Sequence, residues 1–371
     1  MKCEIEFLPV GQGSKPGDAI VVRYGEPNSY ELVVVDGGTV DSGKAIVEHI
    51  RSEFGQQASV SHLVLTHPDG DHACGLREVL SGLPVRNLWL NPPWEFAGAA
   101  LPYFANKNWT DRSIAQAIYK EYDIIAEIVA IAQKWSVPIT APLTGRSIGP
   151  FRVLWPSQRV YPLMLAQFDR TPAPDELALM QAGWWIGKQP GAFAKLAEKL
   201  IAKAQKLTRE TWENERLKDG GITSATNESS VILYGDFGQG RRVLLTGDAG
   251  IVALTEAANY ADQNGLALRD FMFVQIPHHG SRRNVGPTIL DRLVGPIQPS
   301  GAAPRFHAYV SAPPDDDTHP RKMVVNAFIR RGALVAATQG GKKVFWGGFP
   351  PRPGYGPLTP LSFAESVEDY D

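Results

Sequence analysis

The sequence predicts an α/β fold. Strand-like and helix-like segments alternate through the first third of the chain and again after residue 222. Four apolar strand runs end in Asp or His beside Gly, where working loops of such folds usually sit. The 371 residues, 43% hydrophobic and 20% charged, suffice for one large α/β domain with insertions, or for two domains.

Each element follows from its pattern. "EIEFLPV" and "AIVVRYG" read as strands, and "ELVVVDGG" as a strand closing on a Gly pair. "SGKAIVEHIRSEFG" reads as a helix closed by Gly55, "HLVLTH" as a buried strand, residues 73–81 as a helix and "VRNLWLN" as a strand. Ile114, Ile118, Tyr122, Ile125, Ile128 and Ile131 recur at helical spacing, which predicts one long amphipathic helix from Asp111 to Trp135. "GPFRVLWP" is a strand. Residues 160–222 then change character, with a Pro-rich entry, helical patterns and a Gly-Gly exit, and read as a helical insertion. Within it Lys195, Lys199 and Lys203 share a helix face with Lys206 close by, as a solvated charged face or as a basic wall for phosphates.

Strands resume at "SSVILYG" and "RRVLLTGD", a helix covers about 250–264, and "FMFVQIPHHG" is a strand running into a polar loop. "RFHAYVSA" is a strand, "PRKMVVNAFIRRG" a helix, and "LVAATQGGKKVFWGG" a hairpin turning at Gly340-Gly341. Residues 349–371, rich in Pro and Gly and ending "ESVEDYD", read as a loosely ordered acidic tail.

The net charge of −2 argues against a broad surface for coating nucleic acid, while leaving room for a local basic patch. The two cysteines, Cys3 and Cys74, are too few for a disulfide framework and indicate a reducing compartment. Cys74 reads as a small buried helix residue or as a thiolate ligand. The N-terminus has no signal-peptide pattern, and no apolar run approaches the ~20 residues of a membrane helix. A cytoplasmic protein without a membrane partner is expected.

The chemistry concentrates in "LTHPDGDHACGL", residues 65–76, which places His67, Asp69, Asp71 and His72 on one strand-to-helix loop. Side chains on a tight loop diverge, so these four serve two adjacent metals better than one: His67 with Asp69, and Asp71 with His72. Two metals about 3.5–4 Å apart also need a bridging carboxylate and more ligands. Asp36, Asp248 and the pair His278-His279 each follow an apolar strand and sit beside Gly. Asp36 and Asp248 would otherwise be turn residues or helix caps, and His279 a loop histidine. Together with the packed loop they make a metal site the better reading.

The motif H-x-D-x-D-H after a strand, with "VVVDGG" upstream and "LLTGD" then "PHHGS" downstream, resembles the metallo-β-lactamase superfamily. "VGQG", "DAIVV", "NESSVIL" and the His319-Pro320 pair make it most similar to the hydrolase domain of ComEC-type competence proteins. The resemblance spans residues 3–348 without 160–222. It implies an αββα sandwich over residues 1–348 with two divalent metals, zinc or manganese, at one edge. It implies His67, Asp69, Asp71, His72, Asp248 and His278 as ligands, Asp248 bridging, and Asp36 and Asn227 as supporting residues. Which of His278 and His279 ligates stays open. Asp69 stands where most of the superfamily has His, and residues 73–247 hold no histidine, so the first site is rich in oxygen and Mn²⁺ gains on Zn²⁺.

Two metals generate a nucleophile from water and polarise a phosphoryl or carbonyl oxygen. Asp71, His279 and His319 are the expected catalytic residues, His319 by substrate contact or proton transfer to the leaving group, unless it merely caps the next helix. Ser281 and the N–H groups of the Gly280 turn would hold a phosphate oxygen, with Arg282 and Arg283 adding charge. The expected function is a dinuclear phosphodiesterase or nuclease. The alternatives are hydrolysis of a cyclic nucleotide, ester or lactam, and a partner-regulated component of a bacterial multi-protein system, docking through the tail, the insertion or Trp184-Trp185.

Overall fold

In the strand Ser29–Val35 (β3), Val33 and Val35 face one core while Leu32 and Val34 face another, and all four are buried. A strand buried on both faces needs a layer on each side. The protein is built that way in a computed structural model that describes residues 1–10, 17–184, 186 and 207–370. Trp185 and the lysines at 195, 199, 203 and 206 lie outside the described residues, as does Gly11–Pro16.

Among the described residues two seven-stranded sheets pack face to face. The first holds β1 (Lys2–Phe7), β2 (Ile20–Glu26), β3, β4 (His62–Val64), β5 (Leu88–Trp89), β6 (Ile139–Thr140) and β15 (Lys343–Gly347), in the order β15-β1-β2-β3-β4-β5-β6. The second holds β7 (Ser147–Ile148), β8 (Phe151–Trp155), β10 (Ile232–Asp236), β11 (Arg242–Leu245), β12 (Phe273–Gln275), β13 (Phe306–Val310) and β14 (Ala333–Ala337), in the order β14-β13-β12-β11-β10-β8-β7. Ile5, Phe7, Val22, Val33 and Val64 meet Val153, Leu233, Leu245, Phe273 and Tyr309 between the sheets. The opposite faces join an outer core with helices α1 (Val40–Phe54) and α3 (Leu76–Gly82) on one side. On the other side lie α10 (Ile251–Gln263), α11 (Pro287–Leu293) and α12 (Lys322–Arg330).

Strands β3, β4 and β5 run parallel, as do β11, β12 and β13, so their C-terminal ends gather the loops that follow them. Glycines bring the first of these loops close. A Cβ on Gly75 would lie 2.0 Å from the Gly37 carbonyl oxygen, and one on Gly43 would lie 2.3 Å from that of Gly75. Only bare backbone lets α1 and the loop before α3 press onto the turn after β3.

Four expectations are corrected. The long helix at 111–135 is two, α5 (Asp111–Glu121) and α6 (Asp123–Lys134), broken at Tyr122, whose backbone leaves the helical region. Its ring is buried and carries the Arg170 guanidinium 4.5 Å above it, a tertiary contact that periodicity does not register. The hairpin at Gly340-Gly341 is instead a crossing between sheets: β14 pairs with β13, and β15 with β1. Two short apolar runs around a Gly pair do not specify their partners.

Residues 210–221, expected as helix, hold none. The buried Arg330 guanidinium takes the carbonyls of Thr211, Trp212 and Asn214 and pairs with Glu210, claiming acceptors a helix would use. Upstream, α7 (Tyr161–Leu165) and α8 (Glu176–Gln181) are helical. The tail is anchored rather than loose: β16 (Ser366–Glu368) pairs with β9 (Leu207–Arg209), Val367 is buried, and Asn326 exchanges two 2.8 Å hydrogen bonds with Ala364. No helix among the described residues is long and apolar enough to cross a membrane.

Candidate metal centre

Asp36 follows β3 in the left-handed region, at φ 58°, which Asp tolerates better than bulkier residues. Its carboxylate accepts from Thr66 N and Thr66 Oγ1, both at 2.7 Å, and so ties the end of β3 to the end of β4. Asp36 Oδ2 also accepts from His72 Nδ1 at 2.8 Å. The second sheet joins through Ser230: Val231 N donates to Thr66 O at 3.0 Å, and Ser230 Oγ accepts from Asp248 N at 3.2 Å.

The histidines are all turned the same way. His67 Nδ1 meets Thr66 Oγ1 at 3.0 Å, and since that hydroxyl donates to Asp36, the ring nitrogen carries the proton. His72 Nδ1 is held by Asp36, His278 Nδ1 by Asn284 Oδ1 at 2.8 Å, and His279 Nδ1 by Ser311 O at 3.1 Å. Each Nε2 then points at one atom. Asp248 Oδ2 lies 3.8 Å from that of His67, 3.4 Å from His72, 3.6 Å from His278 and 3.7 Å from His279. Asp69 Oδ2 stands 3.6 Å from His67 Nε2, and Asp71 Oδ2 stands 4.0 Å from both His72 Nε2 and His279 Nε2.

This arrangement fits divalent metal. Among the described residues, His67 Nε2, His72 Nε2, His279 Nε2 and Asp248 Oδ1 are buried without a hydrogen-bond partner. Each such atom costs about 1–3 kcal/mol unless something satisfies it. Among the described residues, His67, His72 and Asp248 form one group able to hold a metal, Asp71, His72 and His279 another, and Asp18, Asp36 and His72 a third, with His278 in none of them. Cys74 is in none of these groups.

Electrostatics follow the same layout. Burial opposes charge on His72, yet Asp248 and Asp36 hold its imidazole well above the usual range. Burial also opposes the Asp248 carboxylate, but His72, His278 and His279 hold it well below the usual range. At His279 burial wins over Asp248 and pushes the ring down to about 3, leaving a neutral imidazole with an open Nε2. Burial pushes Asp18 up to about 7, beside His72 and hydrogen-bonded by Gln275 Nε2 at 2.7 Å.

The other expected residues fall around this centre. Asn227 lies on the short helix α9 (Ala225–Glu228), with its Nδ2 3.2 Å from His278 Nδ1. The N–H groups of Gly280 and Ser281 donate to Pro277 O and His278 O within the turn, so they do not present themselves to a phosphate as expected. Ser281 is buried, with its Oγ accepting from Arg283 N. Arg282 is engaged by the tail: Nη1 donates to Asp369 O, and the guanidinium stacks 4.7 Å from the Tyr370 ring centre. His319 Nδ1 is held by Asp316 Oδ2 at 3.0 Å, and the neighbouring Arg321 N donates to Gly280 O at 3.1 Å. His49 pairs with Glu6, and His62 accepts from Trp89, both away from the centre.

Sequence reading missed Ser230, Asn284, Ser311, Gln275 and Asp316. Ser230 and Asn284 lie within or just after noted motifs, "NESS" and "HHGSRRN". The others carry no local signal.

Comparison with known proteins bears on this geometry. Residues 14–154 match the family model of the metallo-beta-lactamase superfamily. The facing sheets with helices outside are the metallo-beta-lactamase fold. Among solved structures, the metallo-beta-lactamase fold protein YhfI from Bacillus subtilis is similar over 94% of this chain and 100% of that one, at 8% identity and a TM-score of 0.39. A beta-lactamase domain protein from Burkholderia ambifaria is similar over 74% of this chain and 66% of that one, at 14% identity and a TM-score of 0.33. No curated protein matches the chain.

Proposed function

We propose that the chain is a dinuclear metal-dependent hydrolase, a phosphodiesterase acting on nucleic acid. The observation that carries the reading is the convergence of four imidazole Nε2 atoms on Asp248 Oδ2, with Asp69 and Asp71 alongside. Two divalent metals, Zn²⁺ or Mn²⁺, would supply an activated water and polarise a phosphoryl oxygen. Asp248 would bridge them. Asp36 fixes the ring of His72 and, through Thr66, that of His67. His319, with Nδ1 held by Asp316, keeps Nε2 for a proton delivered to the leaving oxygen.

Substrate charge has a counterpart beside the turn. Burial lowers the Arg321 guanidinium, Glu368 and Asp316 raise it, and Arg282 and Arg283 lower it, so three cations and two carboxylates share one neighbourhood next to Gly280. Arginines suit a phosphodiester. The motif order resembling the competence-protein hydrolase domain supports nucleic acid. The net charge of −2 favours a second reading, a small substrate such as a cyclic nucleotide.

The test is reconstitution of metal-free protein with Mn²⁺ or Zn²⁺ and assay on single-stranded DNA, duplex DNA, RNA, cyclic nucleotides, bis-p-nitrophenyl phosphate, a carboxylic ester and a lactam. Metal-dependent cleavage of nucleic acid is expected. Turnover of the ester or lactam alone would overturn the phosphodiesterase reading.

A further inference from the structure

We infer that the consecutive histidines His278 and His279 are divided between the two metals, so that His278 completes the first site. It would join His67, Asp69 and Asp248, while His279 joins Asp71, His72 and Asp248. The inference rests on the dinuclear reading above and adds a ligand assignment that the sequence left open.

The backbone makes the division possible. Neighbouring side chains of an extended chain point to opposite faces. Here His278, His279 and Gly280 have φ of 46°, 55° and 80°, three left-handed residues in succession. Left-handed backbone is unfavourable for histidine and persists where surrounding structure enforces it, typically at a working site. The turn swings both rings toward Asp248 Oδ2, at 3.6 and 3.7 Å, with ring centres 5.6 Å apart and planes at 68°. A Cβ on Gly280 would come 2.6 Å from Pro320 Cβ, so the segment after His319 packs against the turn from behind.

The rings have different neighbours. His279 Nε2 reaches Asp71, and its Nδ1 rests on Ser311 at the end of β13. His278 lies against Asn227, and the same turn supplies Ser230, whose Oγ is 3.3 Å from His67 Nδ1. His279 thus stands on the Asp71 side of Asp248, and His278 beside the 227–230 segment that reaches His67. Residues 73–247 contain no histidine, so that stretch offers the first site no further imidazole.

Asn284 supports His278 as a ligand-orienting residue would. It is fully buried. Its Nδ2 donates to Asp248 O and Ala249 O, which leaves Oδ1 as the acceptor for His278 Nδ1–H. One amide thereby ties His278 Nδ1 to the backbone of the bridging aspartate, while Asn227 Nδ2 lies 3.2 Å from the same Nδ1 and 3.5 Å from Nε2. A half-exposed histidine that only contacted substrate would not need its Nε2 aimed at the carboxylate shared by the other three rings.

Metal counting tests this without any substrate. Metal-free wild-type protein, His278→Ala and His279→Ala would be titrated with Mn²⁺, with bound metal measured by equilibrium dialysis and pair coupling by electron paramagnetic resonance. The wild type should bind two ions and show a coupled pair. Each variant should keep one ion near wild-type affinity, lose the other by tenfold or more, and show the isolated Mn²⁺ signal. His278→Phe, which fills the volume without a donor, should behave as His278→Ala and guards against misfolding of the smaller variant, with circular dichroism as the check. Two ions and a coupled pair in both His278 variants, with loss confined to His279→Ala, would overturn the division. One ion in the wild type would instead refute the dinuclear reading itself. Correct counts without nucleic-acid cleavage would leave the division standing and remove only the proposed substrate.

Discussion

His72 Nδ1 donates to Asp36 Oδ2 at 2.8 Å, and both side chains are wholly buried. This bond turns His72 Nε2 to Asp248 Oδ2, 3.4 Å away. Asp36→Asn would keep the volume but weaken the acceptor and disturb the Thr66 contacts. Metal affinity should fall about 10–100-fold. Isothermal titration with Mn²⁺ reads it directly, and wild-type affinity in the variant would reject this role for Asp36.

Asp248 is the shared point of the cluster. Asp248→Ala should lose both metals, or hold one weakly, and abolish hydrolysis. Retention of two metals with full activity would sink the bridging assignment.

Asp69, with its Oδ2 3.6 Å from His67 Nε2, supplies oxygen where an imidazole would favour zinc. Turnover of the wild type should be higher with Mn²⁺ than with Zn²⁺. Asp69→His should shift the ratio toward Zn²⁺. A wild type more active with Zn²⁺, or a variant with an unchanged ratio, would contradict the oxygen-rich reading.

Glu228 gives a pH dependence of stability. It is buried, and its carboxylate accepts from Ala253 N at 2.7 Å at the start of α10. Burial, opposed by these backbone hydrogen bonds, pushes its pKa from 4.5 up to about 7. The native state therefore holds the proton more tightly than the unfolded chain. The stabilisation is full below pH 4.5 and is lost as pH rises through about 7. The difference is on the order of 3 kcal/mol. Thermal denaturation at pH 5 and pH 8 should show this loss in the wild type and a flatter profile in Glu228→Gln. Parallel profiles would rule Glu228 out as the source.

His319 Nε2 is the proposed proton donor, with Asp316 as its positioning residue. Asp316→Asn should lower kcat about 10-fold or more for a diester with a poor leaving group, within the range of general acid catalysis. A diester with a good leaving group such as p-nitrophenolate should be nearly unaffected, and metal content unchanged. Equal losses on both substrates would point to a structural role for the Asp316–His319 turn.

Much of the fold and of the centre was legible in the sequence. Apolar runs ending in Asp36, His67, Asp248 and His278 marked strand ends, because a strand must bury its side chains and release its polar residues at the loop. The spacing within 67–72 put two imidazoles and two carboxylates on one turn, since residues that close cannot separate. What lay beyond was set by packing. The partner of Lys343–Gly347 is β1, more than three hundred residues earlier, and nothing in "KVFWG" names it. Tyr122 breaks a periodic helix because a core and an arginine claim its ring. The aim of each imidazole depends on groups from elsewhere, including Ser230, 163 residues from His67, and Ser311, 32 residues from His279. The sequence by itself determined which donors exist and which strand ends carry them. The tertiary structure decided that four Nε2 atoms converge on one carboxylate oxygen, because only the docking of two sheets fixes the hydrogen bonds that orient the rings.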